Sequence, residues 1–222
     1  ILARHIYRSA ANDPVPRFLA RIPDQVSTVW PDNAPDSQLG PPAEEYIAIP
    51  RFAIACSYQG CLAFFELGTN RLRISEPGFP GTVKRSRYVD VDGDGAGTGL
   101  AVFGGKLYAW TSSSMAFVEN DAEGVRTQPV PMGKGCEAPQ SVDTTDEGLL
   151  VWLSRRGWYA MATDEVASCI SEAEAKLFLR LNPALLSRAV GRFDPNTRQY
   201  ICWVPEAGSV GNKLGMVWDG KG

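Results

Sequence analysis

Four hairpin-like units recur along the chain at a nearly constant spacing, and this recurrence limits the fold more than any single residue does. Residues Ile54–Ser57 turn at Gln59 and Gly60 into Cys61–Phe65. Leu100–Phe103 turn at Gly104 and Gly105 into Lys106–Trp110. Ser141 and Val142 turn at Asp146–Gly148 into Leu149–Leu153, and Ala189–Phe193 turn at Asp194–Asn196 into Gln199–Val204. The marker turns at Gly60, Gly105, Gly148 and Asn196 are 45, 43 and 48 residues apart. Short β-branched or aromatic runs bounded by Gly, Pro, Asn and Asp read as strands. Three or four such strands in every 40–50 residues are the signature of a β-propeller blade. The expected fold is therefore all-β, with four visible blades over 44–222 that can belong to a larger propeller. A β-sandwich is the rival, because its turns also recur at short intervals.

The first 43 residues read differently. Ile6–Arg8, Phe18–Ile22 and Ser27–Trp30 resemble three strands of a partial β-sandwich. Pro35–Pro42 follows as a linker stiffened by its tandem prolines. One helix is expected near 171–188, opened by a capping box at Ser171–Glu174 and interrupted by Pro183. The chain does not begin with Met and stops just after a strand-like run, so it reads as a segment of a longer polypeptide with no signal peptide in view.

Composition narrows the chemistry. The 22 basic and 25 acidic side chains give a net charge of −3, which argues against a protein built mainly to hold nucleic acid. No apolar run approaches the ~20 residues of a membrane span. Five cysteines (Cys56, Cys61, Cys136, Cys169, Cys202) form no metal-type doublets. They are expected as free, mostly buried thiols of a protein made in a reducing cytoplasm. The only histidine, His5, lies outside the repeats, and no nucleophile elbow, Walker A or dinucleotide-binding run is present. No catalytic residue and no cofactor are expected.

Two local clusters stand out. Asp90, Asp92 and Asp94 alternate before Gly95, as oxygen ligands do in a calcium loop. The closing carboxylate is missing, since Thr98 and Ala101 occupy the positions that would supply it, so a solvated turn without metal is expected. Arg71, Arg73, Lys84, Arg85 and Arg87 concentrate five cations in seventeen residues, relieved within that stretch by Glu76. They are candidates for a subunit interface, because arginine suits bidentate pairing there.

Five phrases follow one another in a familiar order: Gly68–Pro77, Gly99–Thr111, Gly135–Val142, Asp146–Tyr159 and Ala189–Tyr200. This set resembles the propeller-bearing neck and tail proteins of tailed bacteriophages, namely tail nozzles, tail hubs and packaged-DNA stabilisation proteins. The likeness runs from about residue 47 to the end, and the Ile6–Arg8 segment is similar to the fibronectin-like piece that often precedes it. The resemblance implies a non-enzymatic virion component, made in the host cytoplasm. Its expected partners are copies of itself in a ring, neighbouring neck or tail proteins, and genomic DNA passing without sequence recognition. Two other classes are weighed beside it: a calcium-dependent binding propeller on a cell surface, motivated by the three aspartates, and a glycan hydrolase, motivated by fold analogy alone.

Overall fold

A computed structural model describes residues 4–23, 26, 29–40, 46–121, 124–163 and 166–219. The chain divides into two compact units, 1–46 and 47–222. In the first, β1 (Arg4–Ser9) and β2 (Pro16–Ile22) form an antiparallel hairpin. Asp36–Gln38 makes a single 3-10 turn, and the amide of Gly40 donates to the carbonyl of Phe18 at 2.7 Å. Arg8 ties this stretch together through Asp32 and Asp36, at 2.9 and 3.0 Å. Of the third expected strand, residues 27 and 28 lie outside the described residues, and Val29 and Trp30 are not in a strand. Residues 41–45, where the linker was expected to end, also lie outside them.

The second unit is a succession of antiparallel blades arranged as in a β-propeller. It opens with β3 (Tyr46–Ala48). Blade 1 consists of β4 (Phe52–Tyr58), β5 (Cys61–Glu66) and β6 (Arg71–Ile74). After an excursion through β7 (Thr82–Lys84), which pairs with β3, the blade is completed by β8 (Tyr88–Asp90). Blade 2 consists of β9 (Gly99–Phe103), β10 (Lys106–Trp110), β11 (Met115–Asp121) and β12 (Gly124–Pro129). Blade 3 has β13 (Asp143–Thr144), β14 (Leu149–Ser154), β15 (Gly157–Ala162) and the two-residue β16 (Ser168–Cys169). Blade 4 has three strands, β17 (Val190–Asp194), β18 (Gln199–Pro205) and β19 (Asn212–Trp218).

The turns explain why the hairpins form where they do. Gln59 and Gly60 (φ 50° and 74°) and Gly104 and Gly105 (φ 55° and 75°) occupy both central positions of two-residue loops. Positive φ at both positions gives the twist that antiparallel strands need, and glycine adopts it without steric cost. The last marker turn lies between Asp194 and Gln199, where it was expected. Four residues separate the two, and the positive φ falls on Arg198. The Asp194 carboxylate holds this turn by accepting from the amide of Asn196 (2.9 Å) and the hydroxyl of Thr197 (3.0 Å).

The core lies between blades, in three clusters. Phe65, Leu72 and Ile74 of blade 1 meet Leu107, Ala109 and Val118 of blade 2. Trp110 and Met115 of blade 2 meet Leu150, Trp152 and Met161 of blade 3. Val151, Leu153 and Trp158 of blade 3 meet Tyr200, Cys202 and Val204 of blade 4. Two faces of each middle blade are therefore apolar, which is why β10 and β14 read as near-continuous hydrophobic runs.

Burial follows the periodic pattern with exceptions. Trp152 and Cys202 are fully buried and Cys56 is half-buried, but Val102, expected in the core, is 40% exposed. Val102 pairs with Leu107 next to the β9–β10 turn, near the end of its strand. The helix is also shorter than the capping box implied. Only Ala175–Phe178 is α-helical, labelled α1. The Ser171 hydroxyl accepts from the amide of Trp158 at 2.9 Å and so is committed to blade 3. Beyond it, the Asn182 side chain caps a 3-10 segment, Pro183–Arg188, by accepting from the amide of Ala184.

All five cysteines are free thiols. Burial pushes Cys136 and Cys202 up to about 12 and Cys56 up to about 11. Because the thiolate is the reactive form, Cys136 and Cys202 are expected to alkylate at least roughly a hundredfold slower than a free cysteine. Mass spectrometry after brief iodoacetamide treatment at pH 8 checks this. Labelling of both within minutes in the folded chain would contradict the packing described.

Candidate functional site

The five expected interface cations lie together on one side of blade 1, but they are not a bare positive patch. Arg73 pairs with Phe64 across the β5–β6 hairpin, so Glu66, two residues further along β5, falls on the same face. The Arg73 side chain, 6% exposed, forms an ion pair with Glu66. It also donates to the carbonyls of Lys84 (3.3 Å) and Arg85 (2.9 Å). The segment after β7 is thereby tied over the outer face of blade 1. Arg71 grips Asp90 in a fork at 2.9 and 3.2 Å, which holds the Asp90 carboxyl below its ordinary value. Arg71 and Arg73 also lie over the Tyr88 ring, at 4.0 and 5.1 Å from its centroid.

Glu76 faces both Lys84 and Arg87, each at 3.6 Å. Arg87 reaches blade 2 as well, donating to the Asn120 side chain (2.6 Å) and the Asp121 carbonyl (3.0 Å). Arg85 is the exposed cation of the set. Inspection of the cation run alone recognises Glu76 but misses Glu66 and Asp90. The signal that finds them is strand register, since both partners sit one strand away from the arginine they neutralise.

The acidic motif is a crossover between blades. Asp90 is committed to Arg71, while the backbone of residues 92–94 is fastened to the β10–β11 turn by a run of hydroxyls. Ser114 donates to the Asp92 carbonyl, Ser112 donates to the Asp94 carbonyl at 3.0 Å, and the Asp94 amide donates to Ser113 at 2.8 Å. Gly93, at φ 123°, sits so close to this turn that a Cβ would lie 2.1 Å from the Thr111 hydroxyl. The glycine at 93 therefore has a packing explanation. Among the described residues, no three His, Cys, Asp or Glu side chains come together as metal ligands. His5 packs edge-on against Phe18, with ring centroids 5.4 Å apart, inside the N-terminal hairpin.

One concavity was not visible in the sequence. A groove of about 740 Å³ lies between the crossover into blade 4 and strand β19, with Trp158, Leu177 and Trp218 among its apolar walls and Glu172, Glu174 and Asp219 among its acidic ones. Its two sides are about 40 residues apart in sequence, so only the stacking of blades 3 and 4 creates it. No protein-family model matches this chain, and no curated protein matches it.

Proposed function

We propose that this chain is a non-enzymatic structural component of a phage virion, forming part of the neck or tail channel through which DNA passes. One observation carries the reading: the virion-type phrases fall one after another on the blades. Gly68–Pro77 spans β6, Gly99–Thr111 spans β9 and β10, and Gly135–Val142 enters blade 3. Asp146–Tyr159 spans β14 and enters β15, and Ala189–Tyr200 spans β17 and enters β18. A channel wall must be stiff and must not hold DNA. Stacked sheets with their apolar surface between blades supply stiffness, and a net charge of −3 with Arg71, Arg73, Lys84 and Arg87 facing carboxylates gives phosphate little to bind. Copies related by cyclic symmetry would close a ring around the channel.

Within that ring Arg85 is the interface candidate, because its side chain is the exposed one of the five. Electron microscopy of the purified chain should reveal rings. Arg85→Glu should weaken ring formation while leaving the melting temperature within about 1–2 °C, since exposed substitutions usually cost under ~0.5 kcal/mol. A chain that stays monomeric at high concentration and turns over a substrate would overturn the virion reading. Normal rings from Arg85→Glu would remove Arg85 from the interface.

A further inference from the structure

Blade 1 carries a longer insertion than blades 2 and 3. Its third and fourth strands, β6 and β8, are separated by residues 75–87, whereas the same links in blades 2 and 3 are residues 122–123 and 163–167. Insertions in a repeat fold map to surface loops and often form the binding face. This one is tied down at several points. Val83 is fully buried, Arg73 holds the carbonyls of Lys84 and Arg85, and the Gly78 amide donates to the Gly60 carbonyl at 3.0 Å. Its tip is Phe79, 69% exposed between Pro77 and Pro80 and bridged to Glu76. Glu76 lies 3.6 Å from both Lys84 and Arg87, so the exposed ring and the cationic turn that presents Arg85 belong to one small surface.

The other end of β8 carries the opposite charge. The cationic turn precedes Tyr88 and the crossover with Asp92 and Asp94 follows Asp90, so about 10 Å of extended strand lies between them. Asp92 and Asp94 are exposed on a backbone fastened to Ser112, Ser113 and Ser114, and among the described residues neither carboxylate has a hydrogen-bond or ion-pair partner. Gly93 and Gly95 are exposed beside them and leave bare backbone that an aromatic ring can approach closely. Strand β8 keeps the two charged ends of one molecule apart but lets them meet between molecules. We propose that blade 1 docks head to tail on a second copy of this chain, with Phe79 and Arg85 of one copy against the Asp92–Asp94 crossover of the next. Charge complementarity selects this occupant. A lipid surface fits less well, because one aromatic tip falls short of the two signals that stable anchoring takes. The contact is heterologous, so it closes a ring when the rotation between copies permits. The proposal rests on the ring reading above and adds the residues of both contacting surfaces.

Sedimentation velocity of the whole chain tests this through a charge exchange. Arg85→Glu alters one end of the contact, and Asp92→Arg combined with Asp94→Arg reverses the other. Each variant alone should associate at least tenfold more weakly than the unsubstituted chain, with no change in far-ultraviolet circular dichroism. An equimolar mixture of the two should associate at least tenfold more strongly than either alone, because the original contact re-forms at one junction and the exchanged charges pair at the other. Phe79→Ala should also cost at least tenfold in association, with the melting temperature unchanged. A mixture no stronger than its components, or a Phe79→Ala chain that associates normally, would overturn this contact while leaving ring formation by the unsubstituted chain standing. An unsubstituted chain that stays monomeric would overturn the ring reading and this contact with it. Flotation with phosphatidylserine vesicles that is lost in Phe79→Ala would assign the tip to a lipid and overturn the proposal.

Discussion

Trp152→Ala is expected to destabilise the bladed unit by about 3–5 kcal/mol, the usual range for emptying a buried aromatic site. Trp152 is fully buried between blades 2 and 3. Its ring lies 5.7 Å from that of Trp110 and stacks on Tyr159 at 5.9 Å, and its indole N–H donates to the Lys134 carbonyl at 3.1 Å. Truncation leaves a cavity that two sheets cannot close without moving apart, and it leaves the Lys134 carbonyl without its donor. Trp203→Ala is the internal control, because Trp203 is 51% exposed on the outer face of blade 4. Its effect should stay near or below about 1 kcal/mol. Urea unfolding followed by circular dichroism reads both. Similar midpoint shifts for the two variants would mean that the inter-blade contact is not the main source of stability.

Arg73→Met should cost about 3 kcal/mol, the lower end of the range for removing one partner of a buried ion pair. Methionine preserves much of the side-chain volume, so the loss measures polar contacts more than a cavity. The variant strands Glu66, whose side chain is only 19% exposed, and takes the donor from the Lys84 and Arg85 carbonyls. Combining it with Glu66→Leu should recover part of the loss, since an apolar pair removes the stranded charge. A double variant no more stable than Arg73→Met would show that the two carbonyls, and not Glu66, dominate the site.

The blades were legible because their signals are local. A glycine pair at a two-residue turn demands a particular backbone shape, and the flanking β-branched and aromatic residues can be read without knowing their neighbours. Strand β12 was missed because Gly124, Arg126 and Gln128 interrupt its apolar character, and it is recognisable only through its register with β11. Helix α1 was overextended because Ser171 looks like a cap until blade 3 claims its hydroxyl. The cations of blade 1 were recognised as a cluster, but their neutralisation depends on which residues cross-strand pairing brings opposite. The groove beside β19 had no local signal at all.

The placement of apolar surface between successive blades has a thermodynamic consequence. No sheet owns a core, so each derives its cohesion from the next one along, and the free energy of the unit is approximately a sum over neighbouring pairs. Such a system behaves as a one-dimensional Ising chain. Opening blade 2 or blade 3 breaks the junctions on both of its faces. A blade that shares apolar surface on both faces is therefore held from both sides, and stiffness is a property of the stack and not of any one sheet.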